Sequence, residues 1–295
     1  MKLKQQQIHV VKKLSDEKDM QLISLSGNSQ KLDAGSMFGN APKALWSRWV
    51  DVDELNRMQI ACRCLLAKNH HGQNILFETG IGAFFDPKLK SRFGVNEDKH
   101  ILLESLTQQG LSHKDIDVVV LSHLHFDHAG GLLSAWQQGK TPELLFPNAQ
   151  FLVSSDHWQR ATNPHPRDRA SFIPNLTQML QDSGRLHLVS GNTHELLPDV
   201  TFEYTNGHTP GMMHATIADV VFCADLIPGK AWVHIPISMG YDRFPELLID
   251  EKTEFLQKHY SNKTQLFFTH DPEFSIAGIA YDGKRYSTIN ERIEF

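Results

Sequence analysis

Residues 121–131 read LSHLHFDHAGG and place His123, His125, Asp127 and His128 within six consecutive positions. The apolar, β-branched run before them, Ile116 to Leu121, predicts a buried strand. The GGLLSAW that begins at Gly130 reads as the start of a helix. The four side chains therefore fall on a strand-to-helix turn at the carboxyl end of a strand, where open α/β folds bind ligands. His123 and His125 are two apart, so in extended chain they point the same way. A turn then brings Asp127 and His128 round beside them. Imidazoles with a carboxylate suit zinc, and also iron, manganese or cobalt. The pair His70–His71 differs: it sits beside Gly72 between two apolar runs and reads as a solvated hairpin turn.

The 295 residues are 40% hydrophobic and 21% charged, the balance of a globular protein with length for a sizeable core. A net charge of −5 and the lack of a long Lys/Arg run argue against a nucleic-acid partner. Three cysteines make no disulfide framework. Cys62 and Cys64 alternate on the expected strand MQIACRCLLA, on one face with Ile60 and Leu66, and read as core packing. Cys223 lies in the buried-strand composition VVFCAD. This usage fits a reducing compartment. The N-terminal MKLKQQQIHVVKKLSDEKDM has no apolar run of signal length, and no window approaches a membrane span. The expectation is a cytoplasmic protein with no membrane partner.

Along the chain, residues 1–20 read as a peripheral strand or arm. Residues 33–57 carry Phe38, Trp46 and Trp49 without a clean period, so 1–57 is expected to form an N-terminal arm and loop. MQIACRCLLA and NILFETG form an expected hairpin, and DKHILLESLTQQG a helix that stops at Gly110. Residues 156–182, with their prolines, read as an inserted cap. RLHLVS, HELLPDVTFEYT, HATIADVVFCAD and KTQLFFTH give further strands, and FPELLIDEKTEFLQKHY an amphipathic helix. With no linker or repeat, the pattern predicts one α/β domain over 1–295, with two sheets and outer helices.

One cluster of four does not close a two-metal site, and further donors stand where other apolar runs stop. His208 follows FEYTNG, Asp225 follows VVFCA and His270 follows QLFFT. This ordered set resembles the metallo-β-lactamase-fold hydrolases over roughly residues 55–275. The resemblance implies an αββα sandwich of two mixed β-sheets with helices on the outer faces. It also implies two divalent metal ions, Zn2+ first and Fe, Mn or Co as substitutes. His123, His125 and His208 would hold one ion, Asp127, His128 and His270 the other, and Asp225 would bridge them.

Within that family, GSMFGNAPKALW, NRMQIACRCLLA, ILFETGIG, ADLIP and HDPE look most like the lactonases that open N-acyl-homoserine lactones in quorum quenching. The implied chemistry is ring opening by a hydroxide held between the metals, with Asp127 relaying a proton to the leaving alkoxide. The implied substrate is a small molecule with an acyl or other hydrophobic tail. Phe38, Trp46 and Phe172 are candidates for its pocket and lid. Some such lactonases carry a tyrosine three residues after the bridging aspartate. Pro228 stands there in this chain, and Tyr241 is the candidate to replace it. His214, near the metal motif, and His234 are candidates for supporting roles. A homodimer is the expected assembly. The competing readings are a thioesterase of the glyoxalase II type, a phosphotriesterase, and a non-catalytic lactone-binding metalloprotein.

Overall fold

The computed structural model describes residues 20–295, so the expected arm at 1–19 lies outside the described residues. In chain order the strands are β1 (Gln21–Leu25), β2 (Gln30–Asp33), β3 (Arg57–Ile60), β4 (Cys64–Lys68), β5 (Asn74–Phe77), β6 (Val118–Leu121) and β7 (Gln150–Ser154). They continue with β8 (Leu186–Val189), β9 (Val200–Thr205), β10 (Met212–Ile217), β11 (Val220–Phe222), β12 (Gln265–Phe267), β13 (Ile276–Tyr281) and β14 (Tyr286–Arg292). The helices are α1 (Ala34–Phe38), α2 (Lys43–Trp46), α3 (Pro87–Phe93), α4 (Ile101–Gln108), α5 (Phe126–Ala129), α6 (Ser155–Thr162), α7 (Leu176–Asp182) and α8 (Pro245–Ser261).

The first sheet runs β1-β4-β5-β6-β7-β8 and the second β14-β13-β12-β11-β10-β9. Both are mixed. β5, β6, β7 and β8 are parallel neighbours, and β11 lies parallel to β12, while the other pairs are antiparallel. β6 (VVVL) is buried at every position, as a central parallel strand covered on both faces must be. Its side chains alternate between two apolar layers. Val118 and Val120 meet the second sheet's Phe222 and Leu266 in the inter-sheet core. Val119 and Leu121 pack with Leu102 and Leu106 of α4 and Leu176 and Leu180 of α7. On the far side α8 presses Phe255 against His214 of β10, with ring centroids 5.1 Å apart. The layers are those of the expected αββα sandwich.

Several local expectations are corrected. MQIACRCLLA is not one strand: β3 pairs with β2 in a separate two-stranded ribbon, and β4 joins the first sheet. Cys62 falls in the break between them, so it does not share a strand face with Cys64. The break exists because Ala61 N–H and Arg63 N–H bond to the carbonyls of His270 and Thr269. GGLLSAW does not start a helix. The helical turn comes earlier, in α5, followed by a 3-10 turn at Gly130–Leu132. Residues 33–57 hold α1 and α2 rather than loop alone. HATIADVVFCAD turns at Ala218–Asp219 into the antiparallel pair β10 and β11. No helix among the described residues is long and apolar enough to cross a membrane.

Candidate metal centre

The seven sequence-predicted donors come from strand ends of both sheets and meet on one rim. β6 delivers His123 and, just before α5, His125; the first turn of α5 supplies Asp127 and His128, and His208, Asp225 and His270 follow β9, β11 and β12. The turn after β6 is held by close backbone approach. A Cβ on Gly131 would stand 2.0 Å from the Thr79 carbonyl oxygen, and one on Gly130 2.2 Å from that of Ile81. The AGG of the motif is thus what lets this turn seat against the loop after β5. Asp225 is aimed inward from Ala224, whose φ of +45° is a strained conformation for a residue with a side chain.

Donor atoms of His123, His125 and His208 lie within 4.8 Å of one another, and so do those of Asp127, His128 and His270. Asp225 stands between the two groups. Its Oδ1 is 3.2 Å from both His128 Nε2 and His270 Nε2, and its Oδ2 is 3.3 Å from His208 Nε2. Within the groups, His128 Nε2 and His270 Nε2 are 3.1 Å apart, and His208 Nε2 and His125 Nδ1 3.2 Å. Six of the seven residues are buried, and Asp127 is the most open, its side chain 15% exposed.

The outward ring nitrogens say which way the lone pairs face. His270 Nδ1 meets the Ala61 carbonyl at 2.6 Å. A carbonyl only accepts, so this nitrogen carries a proton and Nε2 is the ring atom turned to the cluster, open to a cation that displaces its proton. His208 Nδ1 bonds the Asp242 carboxylate at 2.9 Å, with the same result. His128 Nδ1 faces Glu78 Oε2 at 3.4 Å. His123 Nδ1 lies 2.9 Å from the Ser122 hydroxyl, and its buried Nε2 has no hydrogen-bond partner. Asp225 Oδ1 is likewise buried and unpartnered. Buried polar atoms without partners are costly, and here they converge, with lone pairs inward and acceptors outside. Divalent cations fit such a donor set.

Charge follows the same division. Burial holds His123 and His125 well below the usual histidine range. Burial opposes protonation of His128 and His270 too, but the Asp225 carboxylate beside them holds both well above it. Burial would raise Asp225, and the surrounding imidazoles hold it well below the usual carboxylate range.

Four residues missed by the sequence reading support the cluster. Glu78, at the end of β5, faces His128 and accepts the Ser122 N–H at 2.7 Å. The strand-end rule would have found it. Asp242, fully buried, holds His208 and accepts the Met239 N–H at 2.6 Å. Arg63 donates to the carbonyls of Asp271, Pro272 and Phe274, anchoring the loop after His270. His157 touches the turns on either side of it and carried no sequence signal. Burial pushes it down to about 3.

The aromatic and supporting candidates divide. Phe172 pairs with His125 in a backbone bridge, and their rings are 5.0 Å apart. Tyr241 is half-buried, and burial pushes its hydroxyl above the usual tyrosine range. Pro228 uses its carbonyl to accept the His270 N–H at 2.9 Å. Phe38 and Trp46 are 0% and 2% exposed, so neither presents a face to a substrate. Phe38 is stacked between Trp46 at 5.7 Å and Trp232 at 4.8 Å. In this structure both rings lie within an aromatic stack. His214 bonds Thr205 Oγ1 at 2.8 Å, away from the centre, and His234 lies against Trp49.

Residues 59–270 match the family model described as the Metallo-beta-lactamase superfamily. The chain belongs to that superfamily and is by class a hydrolase. An N-acyl homoserine lactonase of Bacillus thuringiensis is 24% identical over 229 residues, covering 71% of this chain and 81% of that protein. A probable metal-dependent hydrolase from Staphylococcus aureus superposes with a TM-score of 0.82 at 27% identity, covering 92% of this chain and 96% of that one. AidC, a dizinc quorum-quenching lactonase solved with its product, gives a TM-score of 0.71 at 24% identity, covering 92% and 96% of the two chains.

Proposed function

We propose that the protein is a dinuclear metal-dependent lactonase that opens the ring of an N-acyl-homoserine lactone or a close relative. The observation that carries the metal reading is Asp225, whose two carboxylate oxygens face two separate donor groups. His123, His125 and His208 would hold one cation, Asp127, His128 and His270 the other, and Asp225 both. Imidazole and carboxylate donors favour zinc and admit iron, manganese or cobalt. Divalent cations bound there supply Lewis acidity and lower the pKa of water towards neutrality.

The chain's own residues do the rest. Asp242 and the Ala61 carbonyl hold the outer nitrogens of His208 and His270 and so turn their Nε2 atoms inward. Asp127, the most open of the seven, would move a proton to the leaving alkoxide, a role its exposure supports. Tyr241, half-buried in the segment before α8, orients the substrate carbonyl with its hydroxyl. The segment 156–182 acts as a cap, and Phe172 brings an apolar wall beside His125 for an acyl tail. The lactone substrate is supported by the names of the Bacillus relatives and of AidC, and by the apolar wall.

The test is hydrolysis of a long-chain N-acyl-homoserine lactone by zinc-loaded protein beside a chelated sample. Turnover that disappears on chelation and returns with zinc is expected. Protein shown to carry two metals but inert on the lactone would overturn the substrate. Thioesters and phosphotriesters would be assayed next on that same preparation.

A further inference from the structure

Between the turn that carries His123 and His125 and the loop that carries His208 stands a side chain belonging to neither. His157 lies in α6, with no exposed surface. Its Nε2 accepts the Leu124 N–H at 2.8 Å, and its Nδ1 meets the Pro210 carbonyl at 3.1 Å. An amide N–H only donates and a carbonyl only accepts. The two partners therefore define one neutral tautomer, with the proton on Nδ1 and the lone pair on Nε2. Leu124 separates His123 from His125, and Pro210 lies two residues past His208. The ring is a rigid spacer between the two turns.

Its own place is set twice over. Ser154 caps α6 and accepts the His157 N–H at 3.4 Å, which seats the residue in the first helical turn. On the other side Gly211, at φ +70°, leaves no room for a side chain. A Cβ there would stand 2.4 Å from the His157 backbone nitrogen. The His208 loop thus closes directly on the backbone of α6. The His157 ring is 5.8 Å from that of His123 and 5.9 Å from Phe172, at the edge of the donor cluster. With both nitrogens committed, it is not itself a donor to a cation.

We infer that His157 is a positioning residue. By tying Leu124 to Pro210 it sets the spacing of His123 and His125 against His208, and so completes the first three-imidazole group. This rests on the two-cation reading above, and the experiment separates their failures. Metal-free protein is titrated with cobalt(II) and followed by calorimetry and visible absorption, with far-UV circular dichroism as the check on fold. The parent chain is expected to bind two equivalents. His157→Ala should stay folded, bind one equivalent about 10- to 100-fold more weakly and show an altered cobalt spectrum. His157→Gln, whose amide offers one acceptor and one donor, should recover much of the affinity and the parental spectrum.

A folded His157→Ala with parental affinity and spectrum overturns the inference alone. A parent chain that takes up no cobalt overturns the two-cation reading and this inference with it. If His157→Ala does not fold, the ring nitrogens of metal-free parent protein decide by 1H–15N spectroscopy. A slowly exchanging proton on Nδ1 and none on Nε2 is expected, and a proton on Nε2 overturns the spacer.

Discussion

Two regions drew attention in the sequence, and the structure treats them in opposite ways. At the rim, histidines and aspartates from distant strand ends face one another with buried atoms left unpartnered. At the N-terminal segment, Phe38 stacks between Trp46 and the distant Trp232, whose Nε1–H donates to the Met37 carbonyl at 3.0 Å. The first region is incomplete as protein alone, and the second is closed on itself. Unusual composition marked both. Unsatisfied polar atoms that converge mark a ligand site, whereas satisfied ones inside an apolar stack mark packing.

The sharpest way to break this contrast is to remove the residue between the donor groups. Asp225→Ala should lose bound metal and lower kcat/KM by about 10³-fold or more, while the metal-free protein stays folded. Metal content by mass spectrometry beside lactone kinetics checks it, and full metal with full turnover would place Asp225 outside the centre. Phe38→Ala should do the converse. It should cost about 3–5 kcal/mol of stability and leave metal content and the preference for acyl length as they were. Urea unfolding with a series of acyl chain lengths decides. Unchanged stability with a shifted preference would return Phe38 to the substrate pocket.

The smallest effect sharpens the contrast within one residue type. His214 is packed as an aromatic, against Phe255, and burial pushes it down to about 4. An unfolded chain protonates this histidine near pH 6.5, before the folded protein does. Its contribution is therefore intact above about 6.5 and is lost as pH falls from there towards 4, on the order of 3 kcal/mol. Unfolding of metal-free parent protein at pH 7 and pH 4.5 should show this extra loss, and His214→Gln should not. Equal losses in the two proteins would remove His214 from the acid sensitivity.

The residues that converge on the rim were readable because they obey a local rule. An apolar β run stops and a metal-binding residue type follows. Glu78, after NILF, obeys it too. Asp242 and His157 do not, since each is defined by partners 34 and 33 residues away that periodicity does not reveal. The strand expected over MQIACRCLLA failed for a similar reason. Its pattern continues past Ile60, but Ala61 and Arg63 give their N–H groups to the His270 loop. Phe38 and Trp46 were harder to read, because residue type shows that a ring seeks apolar surroundings, not whether those are a ligand or other rings.

The sequence by itself determined which chemical groups are present, in what order, and that each stands at the end of a buried strand. Alternation and β-branching, which are local properties, suffice for that. Only the tertiary structure decided that the ends from both sheets meet within hydrogen-bond distance, which nitrogen of each imidazole faces inward, and which aromatics are spent on the core. These depend on groups far apart in the chain, such as His270 and the Ala61 carbonyl, 209 residues away. Their meeting is set by how two twisted sheets pack, which no local pattern encodes.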